Sequence, residues 1–363
     1  MRFRGVDNFR HDQPQRVGLL ITNLGTPDAP TPSALRRYLG QFLSDPRVVE
    51  APRLLWWFVL HGVILRIRPR RSAEAYASVW GERGSPLMYH TEDQCKALAA
   101  RLRDQYGEDL IVDFAMRYGA PSIAARLDRL QQQGVTRLVV VPLYPQYSGS
   151  TSASTFDALS ADFRRRRWLP ELRFVMQYHD FPPYIDAMAT RIERHWAEHG
   201  RADKLIFSFH GIPKRYLLAG DPYFCQCHKS ARLLAERLGL KGGSWMVAFQ
   251  SLFGREEWLK PYLAETLKTL PGEGTKAVQI FCPGFSADCL ETIEEVGVEN
   301  RDYFLEAGGE RYEYISALNA EPAHIDALVA LVGKQLQGWD LAGNDRAALA
   351  TTRERAMSLG AGN

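Results

Sequence analysis

The sequence predicts an α/β protein of two similar doubly wound, Rossmann-like domains, with parallel sheets and a cleft between them. Short apolar runs alternate with longer amphipathic stretches, which is typical of parallel strands joined by helices. This alternation occurs twice, and the breaker-rich segment "YHDFPPY" separates the two occurrences. With 363 residues, of which 45% are hydrophobic and 24% charged, the chain is long enough for two such domains.

Each predicted element follows from a run of apolar residues or from helical periodicity. The predicted strands of the first half are 17–25, 110–119, 135–145 and 172–181, with a helix over 121–134. The predicted strands of the second half are 204–211, 245–251 and 276–285, with helices over 182–200, 230–239 and 258–270.

These elements divide the chain into domains. We expect a first domain over 16–178, including an apolar lip of a pocket at about 50–72, and a second domain over 179–320. A helix within 321–340 closes the fold. Residues 341–363 are small and polar, which predicts a disordered tail.

Composition narrows the class of protein. The net charge of +3 is too balanced to indicate a nucleic-acid partner. Five cysteines without regular spacing favour a reduced compartment, and the polar opening of the chain predicts no signal peptide. We therefore expect a cytoplasmic protein.

The apolar run 54–65, "LLWWFVLHGVIL", has 12 residues, too few to span a bilayer as a helix. It precedes the basic segment "RIRPRR". One interpretation is a pocket lid or core helix. The other is peripheral contact of residues 54–71 with the inner face of the cytoplasmic membrane.

The predicted strand "KLIFSFHG" ends on a histidine, His210, which a Gly-Ile-Pro turn follows. In α/β folds ligands bind beyond the carboxyl ends of the strands. A neutral imidazole there can bind a transition metal or accept a proton near pH 7. The alternative is a histidine that only bonds a backbone group.

Three carboxylates follow the last strong strand, in the segment "FCPGFSADCLETIEE". Asp288, Glu291 and Glu295 are spaced by three and four residues, which places them on one face of a helix. Such a row can bind and pass on a cation. The alternative is that acidic residues are favoured by the helix dipole, but this effect accounts only for carboxylates in the first turn of the helix.

Arg117 and Tyr118 end another strand, where the arginine pairs either with a ligand carboxylate or within a structural ion pair.

Two rival metal motifs are weak. "HWAEH" (195–199) matches an inverted zinc-peptidase motif but lies in a charged, solvated helix end. "CQCH" (225–228) lacks a zinc spacing, and we expect no iron–sulfur cluster from it with Cys282 and Cys289.

Several motifs occur along the chain in one order. They are "LLITNLGTPD", "RPRRSAEAYASVWGERGSPL", "MRYGAP", "YPQYSGSTSAST", "FSFHGIP", "GDPYFCQCHKSARLLAERLG", "FQSLFGREEWLKPYL" and "CPGFSADCLETIEE". By this set, the chain from Gly18 to about Leu331 resembles the bacterial ferrochelatase family, whose members insert ferrous iron into protoporphyrin IX.

The resemblance implies a chelatase-type fold with a porphyrin cleft between two domains, and roles for particular residues. His210 and Glu291 match the catalytic pair that also presents the metal, and Asp288 and Glu295 match an acidic path. The porphyrin-binding positions match Arg68, Tyr76, Ser85, Arg117, Tyr118 and Trp258. Relatives also carry histidine at the position of Cys289.

The expected reaction is insertion of Fe²⁺ into protoporphyrin IX with release of two protons, the last step to haem. Iron is a substrate, and no tightly bound cofactor is expected. Two alternatives stay open: a chelatase for coproporphyrin III or another tetrapyrrole, and a porphyrin- or haem-binding protein without catalysis. The sequence does not assign oligomeric state, nor which of His210 and Glu291 mainly accepts protons.

Overall fold

Eight strands form two parallel four-stranded sheets in a computed structural model that describes residues 3–6, 9–254, 256–339, 341 and 345–362. The first sheet contains β1 (Arg16–Gly25), β2 (Leu110–Tyr118), β3 (Val135–Pro142) and β4 (Glu171–Phe174). The second contains β5 (Lys204–His210), β6 (Trp245–Gln250), β7 (Ala277–Phe281) and β8 (Arg311–Ile315). Their orders, β2-β1-β3-β4 and β6-β5-β7-β8, are the same, which confirms the predicted pair of similar α/β units.

Helices flank both sheets. In the first half they are α1 (Pro32–Ser44), α2 (Arg53–Val59), α3 (Leu65–Val79), α4 (Pro86–Tyr106), α5 (Ile123–Gln132) and α6 (Ser154–Phe163). In the second they are α7 (Pro182–His199), α8 (Lys214–Leu218), α9 (Tyr223–Arg237), α10 (Leu263–Thr269) and α11 (Asn300–Glu306), followed by α12 (Pro322–Leu336) and α13 (Arg346–Ser358). Three π-helical segments complete the described structure: Leu60–Ile64, Gly149–Ala153 and Glu291–Glu299.

The largest core cluster spans both sheets, since it contains Leu19 of β1, Phe207 of β5 and Met188 of α7. Leu20 and Ile206, one residue along their strands, lie in separate clusters on the opposite sheet faces. This alternation follows the two-residue period of a strand. Helices α7 and α12 pack together, and α12 also packs on α4, so the predicted closing helix joins the two halves.

Some boundaries differ from those expected. The predicted helix over 258–270 begins only at Leu263, because Pro261 removes a backbone donor and restricts the residue before it. The predicted strand over 172–181 ends at Phe174. The predicted boundary between residues 178 and 179 falls in the connection between β4 and α7, and it stays a prediction.

The tail is the clearest correction. Residues 346–358, expected to be disordered, form helix α13. Asp345 caps this helix by accepting a hydrogen bond from the amide of Ala347 at 2.9 Å. The small residues of the tail were interpreted as a sign of disorder. Alanine, however, has the highest helix propensity, so an alanine-rich segment with a capping residue can form a helix.

Candidate active site

His210 ends β5 at the carboxyl edge of the second sheet. Its Nδ1 lies 2.6 Å from the carbonyl oxygen of Gly211. A carbonyl can only accept, so Nδ1 carries the proton of the neutral ring and Nε2 is the basic nitrogen. At Gly211 a Cβ atom would lie 2.9 Å from the carbonyl oxygen of Gln250 and 3.1 Å from the ring of Trp258, so the turn beyond the histidine needs glycine.

Gln250 links the histidine strand to the acidic segment. It is the register partner of His210 on β6. Its Nε2 donates to the main-chain carbonyl of Glu291 at 3.1 Å, while its Oε1 accepts from Ser208 Oγ at 2.6 Å and Cys282 Sγ at 3.6 Å. The structure therefore brings His210 and Glu291 to neighbouring positions at one sheet edge.

Glu291 is the first residue of the π-helical segment Glu291–Glu299. Its negative charge acts on buried neighbours: burial first, and this charge second, hold the pKa of Tyr76 and of the Cys289 thiol well above their ordinary values. Cys289 is therefore a thiol at neutral pH, which is a poor metal ligand. Leu290 packs on the apolar cluster of Leu35 and Leu60, so the segment reaches the first half of the chain.

Glu295 lies further along the π-helical segment and is held by Ser251. The amide and hydroxyl of Ser251 donate to its two oxygens at 2.6 and 2.5 Å. Burial raises the pKa of Glu295 to about 7, with a further rise from the charge of Glu291 and an opposing effect of the Ser251 bonds. Ser251 has a φ of 65°, in the left-handed region that non-glycine residues rarely adopt.

Asp288 occupies a different environment from the two glutamates. It is buried, and its Oδ1 accepts from Tyr314 OH at 2.6 Å, Thr292 Oγ1 at 3.1 Å and the Ala317 amide at 3.2 Å. Its Oδ2 accepts from Asn319 Nδ2 at 2.7 Å. The structure thus places Asp288 before the segment, in a network of donors.

Arg117 and Tyr118 converge on the buried carboxylate of Asp45. Both side chains donate to Asp45 Oδ2, and Ser154 Oγ donates to the same oxygen at 2.6 Å. Burial alone would raise the pKa of Asp45, but these bonds, an amide bond from Arg47 and the Arg117 charge lower it. Arg117 therefore forms the structural ion pair that was one of its two interpretations. A porphyrin contact by either residue stays a prediction.

Three more of the predicted pocket residues come from both halves of the chain. Ser85 is buried and accepts from Thr26 Oγ1 at 2.7 Å. Tyr76 is buried in α3. Trp258 lies beside the histidine, with ring centroids 6.4 Å apart.

Arg68 on α3 reaches across to the second half of the chain. Its guanidinium lies over the ring of Phe253, 4.5 Å from the centroid. The lip and the segment after β6 are therefore in contact. The pKa of Arg68 is lowered, first by burial and then by the charge of Arg71.

The side chains of the two rival motifs contact other protein groups or solvent in the structure. His195 Nε2 lies 3.0 Å from Glu313 Oε2, in a network with Gln279. Cys225 is exposed and Cys227 buried, and the described cysteines are all free. Among the residues that the structure describes, no group of three or more His, Cys, Asp or Glu side chains is arranged to hold a metal ion.

Sequence reasoning missed the residues that hold the site. Gln250 and Ser251 lie in the motif "FQSLFGREEWLKPYL" but were given no role, and Asp45 and Asn319 lie in none of the quoted motifs. Gln250 and Ser251 do follow a predicted strand, and the rule that ligands gather at strand ends could have identified them.

Comparison with known structures places this fold among the chelatases. SirB from Bacillus subtilis, solved with Fe³⁺, matches with a TM-score of 0.54 at 11% identity, covering 89% of this chain and 96% of that one. DR2241 from Deinococcus radiodurans, described as structurally similar to chelatases, matches with a TM-score of 0.51 at 14% identity, covering 94% of this chain and 59% of that one. The class defined by this likeness is a two-sheet α/β fold of the chelatase type.

Sequence comparison gives the family. The ferrochelatase family model matches residues 16–336. The ferrochelatase of Marinobacter nauticus is 63% identical over 366 aligned residues, covering 99% of each chain, and that of Thioalkalivibrio sulfidiphilus is 55% identical over 367, covering 99% of this chain and 100% of that one. The chain belongs to the ferrochelatase family, which confirms the resemblance and the prediction of an enzyme.

Proposed function

We propose that this enzyme inserts Fe²⁺ into protoporphyrin IX, releasing two protons, as the last step of haem formation. The observation that carries the proposal is the linkage of His210 and Glu291 through Gln250 at the carboxyl edge of the second sheet. Glu291 lies near the first half, because its charge adds to burial in raising the pKa of Tyr76.

The reaction requires a base, because metal cannot enter the ring until two pyrrole protons leave. His210 fits this role: its Nδ1–H is fixed on the Gly211 carbonyl, leaving Nε2 to accept a proton. One imidazole and one carboxylate, from His210 and Glu291, present iron weakly enough to release it. A third ligand would favour a resident metal over a transferred one.

Glu295 extends the acidic path beyond Glu291. A carboxyl group whose pKa is about 7 can take and release protons at neutral pH. We propose that it passes on protons that leave the porphyrin. The apolar walls of the cleft would bend the ring and so lower the barrier to metal entry.

The lip adds a proposal about location. No residue of α2 is buried, and Leu54 and Trp57 are 74% and 54% exposed. Trp56 instead anchors the helix, donating from Nε1 to the carbonyl of Leu43 at 2.7 Å. Exposed arginines follow at Arg66 and Arg70. We propose that residues 54–71 rest peripherally on the inner face of the cytoplasmic membrane, where an apolar porphyrin is available.

In the described part of the chain, no helix has the length and apolar character needed to cross a membrane. The lip is therefore proposed as a surface contact and not as a span.

The experiment compares substrates under anaerobic conditions. Initial rates of Fe²⁺ insertion are measured with protoporphyrin IX and with coproporphyrin III at matched concentrations. A higher kcat/KM for protoporphyrin IX is expected. Preference for coproporphyrin III would support the first alternative, a chelatase for that porphyrin. Binding of both porphyrins without product would indicate a porphyrin-binding protein.

A further inference from the structure

Asp288 and Asn319 form a reciprocal pair. Asn319 Nδ2 donates to Asp288 Oδ2 at 2.7 Å, and the amide of Asp288 donates back to Asn319 Oδ1 at 2.8 Å. The other carboxylate oxygen, Oδ1, accepts the bonds from Thr292, Tyr314 and the Ala317 amide. Both oxygens of this buried carboxylate are therefore engaged by protein donors.

Asn319 is itself fixed from three directions. Its amide donates to the carbonyl of Ser286 at 3.0 Å. Its own carbonyl accepts from Gln94 of α4 at 3.1 Å and from His324 Nδ1 of α12 at 2.7 Å. Its φ is 47°, a left-handed conformation that asparagine tolerates better than most residues. The pair thus ties the first half of the chain to the start of the acidic segment.

A short stretch of backbone joins Asp288 to Glu291, and Thr292 closes it. Thr292 Oγ1 accepts from the amide of Cys289 at 3.0 Å, and its one proton is shared between Asp288 Oδ1 at 3.1 Å and the Cys289 carbonyl at 3.2 Å. These bonds enclose residues 288–292 and so fix the direction in which the π-helical segment begins. Glu291 lies within that enclosed stretch.

We propose that Asp288 is a positioning residue which, paired with Asn319, sets the orientation of Glu291, and that it does not pass cations or protons along the acidic row. The inference rests on the proposed function. It leaves Glu291 and Glu295 as the members of the acidic path. The spacing of the carboxylates and the family resemblance had both placed Asp288 in that path. The geometry differs, because Asp288 is buried and accepts four hydrogen bonds from the protein, about as many as a carboxylate has acceptor sites.

The test exchanges the two side chains. Asp288→Asn alone sets two amide donors against each other, and Asn319→Asp alone sets two carboxylates against each other. The double variant Asp288→Asn/Asn319→Asp restores the pair with its polarity reversed. In the double variant the residue at 288 still offers Oδ1 to Tyr314, Thr292 and Ala317, and the residue at 319 still accepts from the amide of residue 288.

The two roles predict opposite results for the double variant. For a positioning residue, each single variant lowers kcat for iron insertion, by about a hundred-fold if Glu291 shifts by about 1 Å, with the porphyrin KM unchanged. The double variant then recovers to within a few-fold of the parent. If Asp288 passes ions, the double variant lacks its carboxylate and stays as slow as Asp288→Asn, which would overturn the proposal.

Two further measurements keep the result interpretable. Tyr314→Phe removes one donor to Oδ1 and is expected to lower kcat several-fold, and a rate equal to that of the parent would count against the proposal. Melting temperatures of the parent, the two single variants and the double variant measure the stability that the pair contributes, independently of activity. A parent that inserts no iron would overturn the proposed function alone, whereas a double variant that melts no higher than the single variants would overturn the pairing.

Discussion

The side-chain amide of Gln250 donates a hydrogen bond to the main-chain carbonyl of Glu291, with 3.1 Å between the two atoms. Gln250 is also the register partner of His210. Gln250 therefore connects the strand end of the predicted base to the backbone of the predicted carboxylate, although the two residues are 81 positions apart (291 − 210) in the sequence.

Replacing Gln250 should separate the two groups. Gln250→Met keeps the volume but removes the bond to Glu291, and it leaves the buried Ser208 hydroxyl without its acceptor, which costs about 1–3 kcal/mol of the free energy of unfolding. We expect kcat to fall about ten-fold or more, as for other small misplacements of a reacting group. Steady-state insertion rates and chemical denaturation measure the two effects.

Ser208→Ala is the matched control. It removes the hydroxyl that bonds Oε1 but preserves the bond from Nε2 to Glu291. We expect it to lower stability with a kcat near that of the parent. If both variants lose kcat equally, the bond to Glu291 is not what matters.

The pKa of Glu295 predicts an unusual pH dependence of stability. A carboxyl whose pKa is raised from 4.5 to about 7 holds its proton more tightly in the folded state, so stability falls as pH rises through this window. Glu295→Gln removes the effect. The variant should gain stability relative to the parent between pH 5 and pH 8, by up to about 3 kcal/mol.

Urea denaturation of both proteins at several pH values measures this difference. The expected curve is flat near pH 4, rises through pH 7 and levels above it. A difference that does not change with pH would show that Glu295 titrates normally.

The ion pair of Arg117 with Asp45 predicts a loss of stability rather than of porphyrin binding. Asp45 is buried, and breaking such a pair by removing one partner costs about 3–5 kcal/mol. Arg117→Met should therefore lower the free energy of unfolding strongly. Porphyrin binding by the folded fraction, measured by fluorescence quenching, should change little. A large rise in the porphyrin Kd with unchanged stability would instead assign Arg117 to the propionates.

Acid should weaken the Asp45 contacts. Its pKa is lowered in the folded state, so the stability that it contributes is present above its unfolded pKa and is lost as pH falls through the folded pKa. The difference in stability between parent and Asp45→Asn should therefore shrink at low pH. An unchanged difference at pH 3 would contradict this assignment.

The exposed lip predicts binding to anionic vesicles. Leu54→Ser/Trp57→Ser removes two large apolar side chains from a helix without buried residues, so folding should be unaffected. We expect co-sedimentation with vesicles of anionic phospholipid to fall several-fold. Leu359→Ser, which changes a side chain that is 87% exposed outside the lip, is the control. If the lip variant and the control variant bind the vesicles equally, the lip is not the surface that contacts the membrane.

How far the sequence predicted these features depends on the range of the interaction. His210 was singled out because it ends an apolar strand, and Glu291 because it follows one and matches the catalytic glutamate of the family. Their catalytic roles stay predictions. Arg117 had two open interpretations, because nothing near it in sequence reveals Asp45, which lies on another element. Asp288 was assigned to the acidic path from its spacing and from the family resemblance, while its partners Tyr314 and Asn319 come from the next strand and the loop after it. The π-helical geometry of Glu291–Glu299 also lies beyond patterns that assume an α-helix.

The most direct measurement is anaerobic Fe²⁺ insertion into protoporphyrin IX by the parent and by His210→Ala, with porphyrin binding measured on the same samples. The account predicts that the parent forms haem and that the variant binds porphyrin with a similar Kd but forms product at least a hundred-fold more slowly, as expected for loss of a general base. A His210→Ala enzyme that inserts iron at the parent rate would contradict the role assigned to this strand end.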